Sequence, residues 1–476
     1  MTKTSLIASL LAPPSPNGAE LTGLPESVQW LEVSADLVGD LDPDWLRDHF
    51  RGRLLYSFRA KEPYGEPDRR RRLLVATERY DRVELDADRD FSSELLSEVP
   101  QEKRLVSWYG QVNNLSELRE HFDRVSSVPA SLYKVVTQTE RIAEEFLPLW
   151  LLKSLRRNDT IAYADGPLGF WNRLLAIQLG APAIFGAVSP GAPGEPAITK
   201  LIDDYGLPEV APLKELFAII GNPVFHSLSP RLHNASYREM NYPALFVPLK
   251  VDSFAEFWRE FVLSRTLDSL GLPINGMTVA SPHKEEALAA ATNVSSMARQ
   301  AEAANILIRN NGWWNADTTD PDVVYTATKK RDVDIREKRA AVIGCGGAGR
   351  AIAAALQKSG AGVTLINRGA ERGEHAAALL GLRYVPLPDF DAEGYDIVVN
   401  ATPVGRDTDE IPFKVERLNN EAVVIDLVYG SRPTPLIGST LARRQIAIDG
   451  RDVLITQVRH QFQMMTGREM PDAISV

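Results

Sequence analysis

The sequence predicts an α/β fold in two parts, an N-terminal (β/α)8 barrel followed by a two-lobed α/β region. Three observations lead there. Short apolar segments alternate with helix-like polar ones eight times between residues 5 and 188. A joint rich in proline and glycine follows. Late in the chain, a glycine-rich turn separates a buried strand from a helix start.

The strand candidates are 5–11, 30–37, 54–60, 82–87, 104–110, 132–138, 160–166 and 183–188, with helix-like stretches at 43–50, 69–78, 114–125 and 139–155. Eight strands with helical crossovers in about 200 residues have the size of a (β/α)8 barrel. An open doubly wound sheet is the alternative, because periodicity does not decide closure. The run Gly191-Ala192-Pro193-Gly194-Glu195-Pro196 and the turn Tyr205-Gly206-Leu207-Pro208 place a joint near 207–215. A fresh strand at 216–221 opens the second region, and a charged stretch at 329–338 leads into a further unit. The domains expected are therefore 1–212, then 213–325 with 440–476, and 326–439. A length of 476 residues accords with two or three cores.

Composition narrows function. The chain is 44% hydrophobic and 24% charged, as a folded soluble protein is, with a net charge of −10. Without a concentrated positive surface, a nucleic-acid partner is disfavoured. The one basic run, Arg69 to Arg72, reads as a helix end or a solvated face. The lone cysteine, Cys345, excludes an intrachain disulfide and a cysteine-built metal site. No metal is expected, and a reducing cytoplasm is. No stretch approaches about 18 uninterrupted apolar residues, so no membrane span is expected. The apolar run near the N-terminus has some features of a signal peptide, yet it fits a first β-strand better.

Strand 339–343 runs into Gly344-Cys345-Gly346-Gly347-Ala348-Gly349 and a helix at 350–359. Between a strand and a helix, this spacing reads as the dinucleotide-binding turn of a Rossmann domain. Gly344 permits the tight turn, Gly346 lets a pyrophosphate approach the backbone, and Gly349 allows close helix–strand packing. The helix N-terminus at Gly347 and Ala348 then faces the phosphates. The next strand, 362–366, ends in Asn367-Arg368, with Arg372 close behind. An acidic residue there would hold the ribose 2′-hydroxyl of NAD. An arginine suits the 2′-phosphate of NADP, which is the cofactor expected. Without that role, Arg368 and Arg372 read as a solvated helix start.

Two earlier stretches carry chemistry. Gly221-Asn222-Pro223-Val224-Phe225-His226-Ser227-Leu228-Ser229-Pro230 puts two hydroxyls in a polar turn before a helix. Gly276-Met277-Thr278-Val279-Ala280-Ser281-Pro282-His283-Lys284 is a strand ending in a Pro-His-Lys turn, and Ala304-Asn305 and Thr318-Thr319-Asp320 follow. Taken in order, these motifs resemble the shikimate dehydrogenase family over most of the chain from Phe217 to the end. The resemblance implies that Ser227 and Ser229 hold a substrate carboxylate and that Lys284 and Asp320 form a proton-relay dyad. Thr278, Asn305, Tyr429 and Gln457 would line the substrate. It also sets Asn400-Ala401-Thr402-Pro403-Val404-Gly405, Thr402 included, near the nicotinamide, and extends to Asp426-Leu427-Val428-Tyr429 and to Phe462 in the closing helix. An ammonium beside a carboxylate can exchange the proton of a hydroxyl oxygen while hydride passes to or from the nicotinamide. By themselves, Lys284 reads as a surface lysine and Asp320 as a helix N-cap.

The sequence departs from the family at four places. The Asn of G-x-N-V-T is Thr278, the Thr of that motif is Ala280, the Asn of N-T-D is Thr318, and the following Gly is Pro321. Lost partners for a polyhydroxylated ring shift specificity by about 1–3 kcal/mol each. The expected ligand is a small cyclic carboxylic acid, shikimate- or quinate-like, or a modified relative of one.

In order and position the barrel resembles type I 3-dehydroquinate dehydratase, and fused dehydratase–dehydrogenase proteins share this domain order. The matching positions are Glu32, Arg59, Glu84, Lys134 and Arg173. Lys134 is the would-be Schiff-base lysine, since apolar surroundings favour the neutral amine that attacks a ketone; alternatively it fills the barrel or faces outward. Other family positions differ. The acid/base His becomes Tyr109, the Arg two residues after the Glu becomes Ser34, and the loop Ser and Gln become Gly191 and Glu195. A phenol with pKa about 10 replaces an imidazole poorly near neutral pH. Little or no dehydratase activity is expected. The barrel would then be a degenerate scaffold, run different Schiff-base chemistry, or bind a ligand. A pair of ligand-sensing relics is the non-enzyme alternative, and the retained glycine loop, Lys284 and Asp320 weigh against it.

Overall fold

A computed structural model describes residues 2–59, 66–166, 169–189, 195–330, 332–430 and 432–475. The chain forms two compact units, residues 1–216 with 224–274, and residues 217–223 with 275–476.

The first unit contains eight parallel strands: β1 (Ser5–Leu10), β2 (Val28–Ser34), β3 (Arg53–Ser57), β4 (Arg82–Asp86), β5 (Arg104–Gly110), β6 (Leu132–Gln138), β7 (Thr160–Asp165) and β8 (Ala183–Ala187). From β1 to β7 each strand neighbours its successor, and β1 also pairs with β8. A doubly wound sheet would reverse strand order at a switch point. This order is that of a barrel, with the expected eight strands all present. Among the described residues no ladder joins β7 to β8, so the ring is nearly closed. Alternate residues face inward, as barrel geometry requires. Ile7, Trp30, Leu55, Leu105, Leu132 and Val136 belong to the interior cluster. Glu32 follows Trp30 on that face, and Lys134 lies between Leu132 and Val136.

Three expectations need correction. The strand read as 30–37 ends at Ser34, and Ala35–Val38 coil into a helical turn stopped by Gly39 at φ 81. The helix read as 139–155 is a 3-10 turn, Ile142–Phe146, followed by helix Leu147–Leu155 with Pro148 in its first turn. The basic run is not simply solvated. Arg69 is buried, its Nε and Nη2 donating to Asp90 Oδ1 and Oδ2 at 2.8 and 2.6 Å. Ala60 and Gly191 lie outside the described residues.

Removing one partner of such a pair leaves an uncompensated buried charge. Arg69→Met is therefore expected to destabilise the first unit by about 3–5 kcal/mol. Urea unfolding followed by tryptophan fluorescence checks this, with exposed Arg71→Met as the near-neutral control.

Also in this unit, helix Ser229–Glu239 is clamped to strand Ala244–Lys250. The Asn234 side chain donates to Phe246 O at 2.9 Å and accepts from Phe246 N at 2.8 Å.

The second unit holds two sheets. In one, strands Ile274–Val279, Ile306–Asn310 and Trp313–Asp317 run antiparallel, and Asn293–Val294 joins the last of them in parallel. The Ala280 N–H donates to Ile220 O at 2.8 Å, bringing residues 217–223 alongside. The other sheet is wholly parallel, in the order Arg383–Pro386, Gly362–Asn367, Arg339–Ile343, Ile397–Asn400, Val423–Asp426, Ile446–Ile448. Its order reverses at Arg339–Ile343, and the crevice at the C-terminal end of that strand is where such sheets bind ligands. Among the described residues, no helix is long and apolar enough to cross a membrane.

Candidate active sites

Lys284 opens helix Lys284–Ala290, and Asp320 opens helix Asp320–Lys330. Their side chains meet, Lys284 Nζ lying 2.7 Å from Asp320 Oδ2, and both are largely buried. Asp320 Oδ1 accepts from Asn305 Nδ2 at 2.9 Å and from Gln457 Nε2 at 2.8 Å. Asn305 is itself fixed, its Oδ1 accepting the Thr319 N–H at 2.9 Å, while Gln461 Nε2 donates to Thr319 Oγ1 at 3.2 Å. The carboxylate is thus locked by two amides on one oxygen and faces the ammonium with the other. Such a pair can exchange a proton without changing its own place.

Thr278 is buried in strand Ile274–Val279, and its hydroxyl has no hydrogen-bond partner among the described residues. An unmet buried hydroxyl costs about 1–3 kcal/mol, which a ligand group can recover. Thr318 is buried as well, and Tyr429 is half-buried just past strand Val423–Asp426. In the first unit, Ser227 and Ser229 are both buried, and the Ser229 N–H donates to Ser227 Oγ at 3.2 Å.

The glycine turn fits a pyrophosphate. Gly344 has φ 103, a left-handed conformation, and a Cβ on Gly349 would sit 1.8 Å from Gly344 O. A Cβ on Gly346 would instead meet nothing within 4 Å, so its outer face is open. Helix Gly347–Lys358 begins there without a side-chain cap, leaving its first N–H groups available to an anion. Ala348 lies in that first turn. Asn367 Oδ1 accepts the Cys345 N–H at 3.2 Å, whereas Arg368 and Arg372 are exposed. Burial pushes the Cys345 thiol up to about 11, which leaves it unreactive. Thr402 Oγ1 donates to Asn400 Oδ1 at 2.6 Å, and Asn400 Nδ2 donates to Asp426 Oδ1 at 2.9 Å. Burial raises the Asp426 carboxyl, and Thr434 Oγ1 donates to its other oxygen at 2.6 Å. These later motif residues therefore brace the ends of two adjacent strands.

In the barrel, Glu32, Arg59, Glu84 and Lys134 do come together. Lys134 Nζ is 2.7 Å from Glu84 Oε1 and 3.8 Å from Glu32 Oε1, and Arg59 Nη2 donates to Glu32 Oε1 at 2.6 Å. The surroundings of Lys134 are thus ionic as well as apolar, a correction to the apolar environment read from strand 132–138. Burial alone would raise the Glu84 carboxyl, but Lys134 and Arg59 hold it well below the usual range. Tyr109 donates to Glu84 Oε1 at 2.8 Å, and burial drives its phenol far above its ordinary value. Arg173 pairs with Asp165 and lines the same cavity as Glu32, Arg59 and Lys134. Ser34 is buried, and Glu195 lines that cavity as well.

Ser9, Tyr163 and Asp165 in this cavity, and Gln461 and Arg350 in the second unit, were not signalled by the sequence. Arg350 had one faint marker, a lone arginine in an alanine-rich helix start. Among the described residues there is no metal-ligating cluster.

Comparison with known proteins follows the same division. Residues 219–307 match the shikimate dehydrogenase substrate binding domain, and 291–428 the NAD binding domain of D-isomer specific 2-hydroxyacid dehydrogenases. Residues 46–211 match type I 3-dehydroquinase. The bifunctional, chloroplastic 3-dehydroquinate dehydratase/shikimate dehydrogenase of Arabidopsis thaliana is 28% identical over 92% of this chain and 79% of its own length. Shikimate dehydrogenase (NADP(+)) of Syntrophobacter fumaroxidans is 33% identical over 54% of this chain and 89% of its own. A crystal structure of shikimate dehydrogenase from Aquifex aeolicus, 29% identical, aligns over 55% of this chain and 96% of that one with a TM-score of 0.50.

Proposed function

Because the chain belongs, in its C-terminal half, to the shikimate dehydrogenase family, we propose that it reversibly reduces 3-dehydroshikimate, or a closely related cyclic keto acid, to the alcohol with NADP. The Lys284–Asp320 pair with its amide braces carries this reading. NADP, when bound, supplies or accepts the hydride at the ring carbon. Gly344, Gly346, Gly347, Ala348 and Gly349 would hold its pyrophosphate, and Asn367, Arg368 and Arg372 its ribose phosphate. Lys284 Nζ gives the proton to the carbonyl oxygen in reduction and takes it back in oxidation. Asp320 stabilises the ammonium, and Asn305 and Gln457 keep the carboxylate turned towards it. Ser227 and Ser229 are assigned to the substrate carboxylate, and Thr278 and Tyr429 to ring substituents. The threonines at 278 and 318 leave room for a modified ring acid. The single buried cysteine accords with a cytoplasmic enzyme.

The barrel is read as silent towards 3-dehydroquinate. Its cations are already paired with carboxylates, and Tyr109 stays protonated where an acid/base must titrate. One observation favours a second reading, a fully bifunctional enzyme: Glu32, Arg59, Glu84 and Lys134 converge around one amine. Borohydride added with 3-dehydroquinate is expected to leave Lys134 unlabelled, and a trapped adduct on its tryptic peptide would favour the second reading.

Incubating the protein with NADP and shikimate or quinate, while following nicotinamide absorbance, tests the reductase. Turnover with one of them is expected, and none with either removes shikimate and quinate as substrates and leaves only a modified ring acid. The choice of cofactor has its own check. Arg368→Ala is expected to raise KM for NADP by roughly 10- to 100-fold, the loss of one charge-assisted bond, with little change for NAD.

A further inference from the structure

We infer that Arg350 is a positioning residue that locks the glycine turn to the helix bearing Lys284, so that cofactor binding and proton relay share one rigid frame. This rests on the dehydrogenase reading above. Arg350 stands in the first turn of helix Gly347–Lys358 and is 2% exposed. Its Nη1 donates to Cys345 O at 3.4 Å, inside the glycine turn. Its Nη2 donates to Glu285 Oε1 at 2.8 Å, on the residue next to Lys284, and to Glu302 O at 3.2 Å. Nε completes the fork with a bond to Ala301 O at 2.8 Å.

The last two acceptors end helix Ser296–Ala301, where Glu302 turns left-handed at φ 47. Carbonyls there lack intrahelical partners, and the guanidinium supplies them. A planar fork with five N–H groups can serve three chain segments at once, which an ammonium on a flexible stem cannot.

Packing agrees with the hydrogen bonds. A Cβ on Gly347 would lie 2.7 Å from Ala303 Cβ and 3.2 Å from Lys284 Cβ. The Ala304 N–H donates to Lys284 O at 2.9 Å. His375 Nε2, on the helix after Arg368, adds an outer tie to Glu302 Oε2 at 2.8 Å. Arg350 is buried, and all three of its guanidinium nitrogens donate hydrogen bonds. Its polar contacts join the cofactor turn to the Lys284 side of the site. Displacing one relative to the other by a fraction of an ångström slows hydride and proton transfer without altering either group's chemistry.

The test uses the full chain with Arg350→Lys, Arg350→Ala and Glu285→Gln. Glu285 is about half exposed, so its variant is expected to keep the wild-type melting temperature. For Arg350→Lys and Glu285→Gln we expect weaker NADPH binding by fluorescence and kcat lower on the order of tenfold. The isotope effect with 4-deuterated NADPH should rise, while the pH profile of kcat/KM stays in place because Lys284 and Asp320 remain. Added guanidinium should restore part of the kcat of Arg350→Ala. Unchanged NADPH affinity, kcat and isotope effect in Arg350→Lys and Glu285→Gln would overturn the inference. If the wild-type protein turns over no ring acid, the dehydrogenase reading fails on its own. The fluorescence titration still decides the frame, because unchanged NADPH affinity in both variants refutes it without turnover.

Discussion

Lys284→Ala is expected to lower kcat by roughly 10²- to 10⁴-fold, the usual contribution of a positioned general acid–base. The effect should fall on chemistry rather than on binding of the cofactor. The stem of Lys284 lies beside Gly347, where an added Cβ would meet its Cβ and Cδ at 3.2 Å, whereas its Nζ faces Asp320 at 2.7 Å. Truncation leaves the carboxylate with its amide donors Asn305 and Gln457. Asp320 therefore stays in place but has no ammonium to relay a proton. Single-turnover reduction of the ring substrate, compared with NADPH fluorescence in the same variant, separates the two effects. A variant that kept full turnover would remove the dyad.

The second large effect is expected at Gly349. A methyl group there would sit 1.8 Å from Gly344 O and 2.9 Å from Gly344 C. Both are backbone atoms of the turn, so no rotamer change relieves the clash. Gly349→Ala must push the helix off the strand, with a cost of at least about 3 kcal/mol and loss of measurable NADP binding. Gly438 supplies the control. It is exposed in helix Pro435–Ala442, and a Cβ there meets nothing within 4 Å. Gly438→Ala should be neutral or stabilise by up to about 1 kcal/mol. Differential scanning calorimetry with and without NADP reads both variants. Unimpaired binding by Gly349→Ala would show that the turn is not what holds the pyrophosphate.

The barrel strands and the glycine turn were legible because each is written locally. Short apolar runs bounded by polar, helix-like stretches mark the strands, and glycine positions mark a turn whose reasons lie within six residues. The short run after Ser34 was misread, since Ala35, Asp36 and Leu37 suit a strand or a helical turn equally and Gly39 decides the matter with a left-handed φ. Partnerships across the topology were not legible. Arg69 finds Asp90 in the loop after β4, and Arg350 finds Glu285 on a helix 65 residues earlier. The sequence displays such arginines as charges without saying which acceptor each will meet. The same holds for Lys134. Its type and place suggested an amine in apolar surroundings, but β4 and β2, two alternate strands of the ring, bring Glu84 and Glu32 to it.

The division of labour between the two halves can be read in one cuvette. The protein is mixed with NADPH, 3-dehydroquinate is added first and 3-dehydroshikimate second, and nicotinamide absorbance is followed throughout. A silent barrel ahead of a working reductase predicts no formation of shikimate after the first addition and rapid consumption of NADPH, with shikimate or its analogue as product, after the second. Shikimate formed from 3-dehydroquinate would show a working dehydratase, and no consumption after the second addition would contradict the reductase itself.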